Sequence, residues 1–130
     1  DEFVAKYQAM YPDTAMRVPG NVFYNGYMAT RELLAAIERA GTTGNVAVIK
    51  ELEGHVMPAR ERMQHHDAVI DPDTHQVQQT IYLATANDAP KVKDDMFKIL
   101  TQSAPQDVRD AAADKACNLE SYEDTPSFDA

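Results

Sequence analysis

Four histidines, His55, His65, His66 and His75, fall within 21 positions, close to Asp67, Asp71 and Asp73. Imidazoles and carboxylates at this density raise the question of a metal site. The spacing argues against one. There is no HExxH, and no cysteine stands near a histidine. On a strand, His65 and His66 point to opposite faces. With "DPDT", Asp71 to Thr74, as a four-residue loop, Ile70 pairs with His75 and His66 lies opposite Gln79. His66 and His75 then sit several rungs apart. A calcium loop fails too, because its fifth and sixth positions call for Asp or Asn and then Gly. Those positions hold His75 and Gln76. Polar strand-face histidines and a type I turn are the expectation.

Nucleophilic chemistry has a single thiol, Cys117, in an Ala-rich stretch with no histidine within 40 positions of it. It reads as a packed structural cysteine. Ser121 and Ser127 lack a GxSxG setting, and no phosphate-loop pattern is present. The residues carry no enzyme signature and call for no cofactor.

The polar-aromatic run "NVFYNGY", Asn21 to Tyr27, offers binding chemistry instead. It follows Pro19-Gly20 and opens the longest helical pattern. Amide protons free at a helix start attract carboxylates, and aromatic rings there can wall a small ligand. The plainer alternative is that Phe23 and Tyr27 are core and Tyr24 is surface.

The elements that position these residues are legible in outline. Phe3, Val4, Tyr7, Met10 and Tyr11 keep helical spacing until Pro12-Asp13. A second helix starts between Asn21 and Tyr24 and runs to Ala40, with Phe23, Tyr27, Leu34 and Ile37 as its stripe and Gly41 just past its end. Val46, Ile49 and Leu52 mark a third helix, capped by Thr43 or Asn45 and stopped at Gly54. After Pro58 the texture changes: "ARERMQHHDAVI" has no helical stripe. "HQVQQTIYLATA" alternates with β-branched and aromatic residues, which predicts one strand. A β-hairpin or strand pair spans Arg60 to Ala86. Val92, Met96, Ile99 and Leu100 predict another helix. Pro105 suits a first helical turn, with a helix over Val108 to Cys117. The acidic tail "NLESYEDTPSFDA" should be extended or wrapped over a surface.

The fold class is therefore α+β, with helices in the first half and strands in the middle. The 130 residues form one unit long enough for a core of its own. Twelve Lys+Arg against 21 Asp+Glu give a net charge of −9, which repels phosphate backbones and argues against nucleic acid. No run approaches the ~20 apolar residues of a membrane span. The opening "DEFVAKYQAMYP" has no Met, basic region or apolar signal core, and a helix is under way by Phe3; a mature or truncated product is expected.

The run "FVAKYQAMYPDTAMRVPGNVFYNGYMATRELLAAIERAGTTGNVAVIKELEG" resembles the C-terminal part of type I periplasmic solute-binding proteins, in the style of the branched-chain amino acid and amide receptors of ABC transporters. The matching pieces are Phe3 to Pro12, Tyr27 to Thr42 and Val46 to Gly54, followed by Asp71 to Gln76 and Thr80 to Thr85. The likeness covers Phe3 to Asn87.

The resemblance implies a periplasmic, non-enzymatic receptor that closes two lobes on an amino acid-like or amide solute and delivers it to a membrane permease. Residues 1–130 would be its C-terminal segment, unable to hold solute alone and prone to pair as a homodimer. Asn21, Phe23 and Tyr24 would border the solute cleft, and Val69 to Asn87 would be a crossover hairpin that completes a sheet. Two other readings stand beside it: a free-standing α+β interaction module with an acidic surface, and a histidine-cluster metal protein.

Overall fold

The computed structural model describes residues 2–91, 93–109, 119, 121, 122, 125, 126 and 128. Three helices come first: α1 (Glu2–Met10), α2 (Asn21–Ala40) and α3 (Asn45–Leu52). Short elements follow: β1 (Val56–Met57), α4 (Ala59–Arg62), β2 (Ala68–Ile70), β3 (Val77–Gln78), β4 (Ile81–Ala86), β5 (Phe97–Ser103) and α5 (Pro105–Val108). The architecture is α+β, as expected. Among the described residues no helix is long and apolar enough to cross a membrane.

Glycine sets the helix ends. Gly41 closes α2 at φ 67°, with its N–H on the Ile37 carbonyl. That left-handed backbone costs glycine nothing. Gly54 does the same beyond α3 at φ 69° and donates to the Ile70 carbonyl at 2.8 Å, which starts the β1–β2 pairing. The start of α3 differs from expectation. Gly44 is its N-cap, with no side-chain cap bond. The Thr42 hydroxyl accepts the Gly44 N–H at 3.1 Å. Asn45 falls inside the helix, so its amide is free for the tail: it donates to the Pro126 carbonyl at 3.1 Å and accepts the Phe128 N–H at 2.8 Å.

The core lies where α2 packs on α3 and on β1 and β2. Met28 and Ala36 of α2 are fully buried, and Val48, Met57 and Ala68 are buried opposite. This corrects the expected stripe of α2. The buried line is Met28, Glu32 and Ala36, four residues apart, whereas Leu34 is 61% exposed and Phe23 and Tyr27 remain partly exposed. α2 has two apolar faces, and the aromatic one does not make the core.

The strand region also departs from expectation. β1, β2 and β3 form one antiparallel sheet, in that order, and β4 pairs with β5 in a second. Ile70 pairs with Val77, so the loop is six residues and the expected Ile70–His75 pairing does not form. The cause is local. Asp71 accepts the Asp73 N–H on its carboxylate and the His75 N–H on its carbonyl, at 2.9 and 2.8 Å. This throws His75 to φ 56°, incompatible with a strand. The expected single strand also breaks at Gln79-Thr80. Thr80 is buried, and its hydroxyl accepts the His66 N–H at 3.1 Å. Residue 63 lies in a turn and residues 64–66 form bends, so His65 and His66 do not lie on a strand. One turn of helix, α4, stands where none was expected.

The helix predicted over Val92 to Leu100 does not form where described: residues 93–96 are a turn and irregular chain, and residues 97–100 belong to strand β5; Val92 lies outside the described residues. β5 pairs with β4 from Ile81↔Ser103 to Ala86↔Phe97. Leu83 faces Thr101 and Ala84 faces Ile99, which leaves Leu100 as a bulge. The spacing Met96, Ile99, Leu100 mimicked a helix because the bulge adds one residue to a period of two. Arg109, just after α5, reaches the buried carboxylate of Asp71 at 3.0 Å and ties the two sheets together. The rest of the helix predicted over Val108 to Cys117, and Cys117 itself, lie outside the described residues.

The tail is wrapped, as expected where described. The Tyr122 hydroxyl donates to Glu53, which also meets His75 Nε2 at 2.7 Å. Lys50 lies 5.7 Å above the Tyr122 ring. The Tyr122 bond, chiefly, holds the Glu53 carboxyl below its ordinary 4.5. Burial first, and the Glu53 carboxylate second, push the Tyr122 phenol from 10.0 up to about 12. The signs follow by linkage. The Glu53 contribution to stability is complete above pH 4.5 and is lost as pH falls through its lower folded value. The Tyr122 contribution is complete below pH 10 and is lost as pH rises toward 12. In an ultraviolet titration, one of the six tyrosines should ionise near pH 12. That late component should vanish in Tyr122→Phe and move toward pH 10 in Glu53→Gln. A late component that is lost in Tyr122→Phe but does not move in Glu53→Gln would place Tyr122 away from Glu53.

Candidate functional site

Successive side chains on a helix diverge by roughly 100°, and this decides what the first turn of α2 offers. The three residues singled out by sequence do not share one surface. Asn21 is exposed at the helix start, where Gly20 provides no side-chain cap. Phe23 and Tyr24 diverge by that angle: the Phe3 ring of α1 meets both, at 6.3 and 6.4 Å, but their far ends go to different partners.

Phe23 faces α1. Its ring lies 4.9 Å from Tyr7 and 6.0 Å from Tyr11, both nearly edge-on, and 6.3 Å from Phe3. Phe3 also packs on Tyr27 at 5.1 Å. Offset and edge-on aromatic pairs of this kind add to the burial they provide. The bonds that seat α1 are polar and local. The Tyr7 hydroxyl donates to the Met16 carbonyl at 3.1 Å, and the Gln8 amide to the Arg17 carbonyl at 2.8 Å. Between the helices lies an open groove of about 830 Å³, walled by Met10, Tyr11, Val22, Phe23, Tyr27 and Leu34. Its size is within the range of small-molecule sites. Arg31 and Glu38 add charge at its edge, and Arg31 also pairs with Glu61 at 2.5 Å.

Tyr24 touches α1 only through Phe3, edge-on at 6.4 Å, and its hydroxyl end reaches away toward α4. Its hydroxyl donates to the Arg62 carbonyl at 2.5 Å, and its ring lies 5.8 Å from the Arg62 guanidinium carbon. Burial, partly countered by Arg62, holds the phenol above its ordinary value. At neutral pH it is a hydrogen-bond donor and not a base. Arg62 is itself buried, and its Nη2 donates to Gln79 Oε1 at 2.5 Å.

Each histidine goes to a different partner. His55 meets Glu32 at 3.6 Å, and His75 meets Glu53. His65 Nδ1 lies 2.9 Å from the Tyr82 hydroxyl, and His66 Nδ1 lies 3.2 Å from the Thr80 hydroxyl. Among the described residues no three His, Cys, Asp or Glu side chains are placed to hold a metal ion.

Sequence reasoning missed Arg62, Gln79 and the buried Glu32. Glu32 left a signal, because it stands four residues from both Met28 and Ala36 on one line of α2. Arg62 left none: in "ARERMQ" nothing distinguishes the inward arginine from the outward one.

If Tyr24 is a support and Phe23 a wall, two substitutions should separate them. Tyr24→Phe should lower stability by about 1 kcal/mol in urea unfolding, the usual worth of one hydrogen bond, and leave α1 docked. Phe23→Ala should speed amide hydrogen exchange in α1 and leave α3 protected. Equal loosening of both helices by either change would contradict the divergence.

A family model described as periplasmic binding protein matches residues 1–91. No curated protein and no solved structure matches the chain.

Proposed function

The chain belongs to the periplasmic binding protein family, and we propose that it serves as the solute-binding component of an ABC importer, taking up an amino acid-like or amide solute. Its role is solute binding outside the cytoplasm, and its family is one of binders. The finer reading adds three things: a periplasmic location, a cleft between two lobes to which this chain contributes one wall, and a membrane permease as the partner that receives the solute.

The observation that carries this reading is the aromatic groove at the first turn of α2. Phe23 and Tyr27 offer apolar walls, and Asn21 sits at an uncapped helix start. A solute carboxylate is favoured at such an end, by ~0.3–1 kcal/mol when exposed and more when enclosed. Closure of a second lobe would supply the enclosure. Tyr24 contributes from behind, by fixing the rotation of α2.

The test is equilibrium binding by the intact receptor against a panel of amino acids and amides. Phe23→Ala and Asn21→Ala should each weaken the best solute at least tenfold, and Tyr24→Ala somewhat less. Affinities within twofold of the parent for all three would remove these residues from the cleft.

The groove and the outlying β4–β5 hairpin also favour self-association of the chain by itself. Leu83, Phe97, Ile99 and Leu100 are all more than half exposed on that hairpin. Patches of this kind seek a partner. Sedimentation at micromolar concentration should show a dimer. A compact monomer with a cooperative melt would show that the hairpin needs no cover.

A further inference from the structure

Across α2 from Phe23 lies a second, smaller pocket of about 360 Å³, between the helix and the β1–β2–β3 sheet. Its walls are Leu33, Leu52, Met57, Ile70 and Val77, and its polar groups include Arg62, Gln79 and Glu32. Arg62 is 5% exposed. A buried guanidinium normally has a carboxylate beside it. Here the acceptors are neutral: Gln79 Oε1 at 2.5 Å for Nη2, and the Met57 sulfur at 3.9 Å for Nη1. The Arg62 Nε–H is buried with no partner. Glu32, the carboxylate in the same pocket, has His55 within 3.6 Å.

A second orphan stands beside the first. Gln64 donates to Gln79 Oε1 at 3.4 Å, a long bond, while its own Oε1 is buried without a partner. Gln79 thus stands between two unsatisfied atoms, a donor on Arg62 and an acceptor on Gln64. One rearrangement satisfies both. If a carboxylate takes Nη2 and Nε in the two-pronged geometry that arginine favours, the Gln79 amide is released. It can then turn its NH₂ to Gln64 Oε1 and keep its own oxygen on the Gln64 NH₂.

We propose that this pocket is a binding site for a small apolar monocarboxylate, a branched aliphatic or aromatic acid, with Arg62 holding the carboxylate and Gln79 acting as the displaceable placeholder. Gln79 offers one neutral oxygen to Nη2 alone, whereas a carboxylate offers two oxygens and a full opposite charge to Nη2 and Nε together, which favours the exchange. The apolar walls suit a hydrocarbon body. The pocket lies at the low end of the roughly 300–1,000 Å³ of ligand sites, which sets a small ligand. A phosphate would need several donors, and the pocket has one guanidinium. The site is separate from the aromatic groove and does not depend on the solute reading above.

The probes are isovalerate and benzoate, titrated into the native chain. Calorimetry gives the affinity, and the ¹⁵N-edited signal of the Arg62 Nε–H reports the contact. Saturable binding of at least one acid should move that signal, and the neutral isostere isovaleramide should bind at least tenfold more weakly. Arg62→Lys keeps the charge without the fork and should weaken the acid at least tenfold. Gln79→Leu removes the competitor and should tighten it severalfold, an outcome that a purely structural Gln79 would not give. Leu33→Trp, at the exposed rim, should block entry without touching Arg62, and it keeps the test decisive if Arg62→Lys fails to fold. No saturable binding of either acid would overturn the proposal. So would equal binding of isovaleramide, or an unmoved Nε–H signal.

Discussion

The guanidinium of Arg62 is the junction on which the middle of the molecule depends. One buried residue meets Tyr24 of α2 through its carbonyl and through its charge. It meets Met57 of β1 through sulfur, and Gln79 in the link between the two sheets. Burying a cation is costly, and the cost is offset only where its protons are met. The surrounding elements give Nη1 and Nη2 one acceptor each and leave Nε without one. This fixes the rotation of α2, and so turns Phe23 and Tyr27 toward α1. The aromatic groove and the polar pocket are two consequences of one orientation.

The apolar core by itself is thin. Among the described residues its fully buried members are small or flexible: Met28, Ala36, Met57 and Ala68. Methionine fills irregular space but specifies it poorly. Polar contacts supply the specificity instead. Arg109 on Asp71 ties one sheet to the other. Thr80 and Asp67 hold the backbone around residues 59–66 from two sides, at 3.1 and 2.7 Å. A buried or half-buried polar group has few acceptable partners, so each contact excludes many near alternatives.

How much was legible in the sequence divides along the same line. The first three helices followed from period and punctuation: Pro12, Gly41 and Gly54 each end an element where expected. The aromatic run at the start of α2 also stood out. What could not be read was decided by side chains reaching across space. The Asp71 carboxylate and carbonyl reshape the turn and shift the register by two residues on one strand. Gln79 and Thr80 break a strand that alternates perfectly on paper, because their side chains serve residues 62–66. The spacing over β5 predicts a helix because a bulge hides its period of two. The stripe of Phe23, Tyr27, Leu34 and Ile37 points to the wrong core face of α2, because apolar residues lie on both sides and only the neighbours decide which side is covered. Arg62 was invisible for the same reason.

The β4–β5 hairpin carries a kinetic meaning beyond its exposed surface. Its farthest pairing, Ile81 with Ser103, spans 22 positions (103 − 81), and α2 meets α3 across a short turn. Both units are built from near neighbours and can form early, since local contacts require little loop closure. The bonds that join them are few and polar, and the clasp of Asn45 on the tail reaches over 81 and 83 positions. Assembly should therefore run from independent local pieces to a late polar fastening. Opening should run in reverse, with the tail leaving first, then the hairpin, and the α2–α3 pair last.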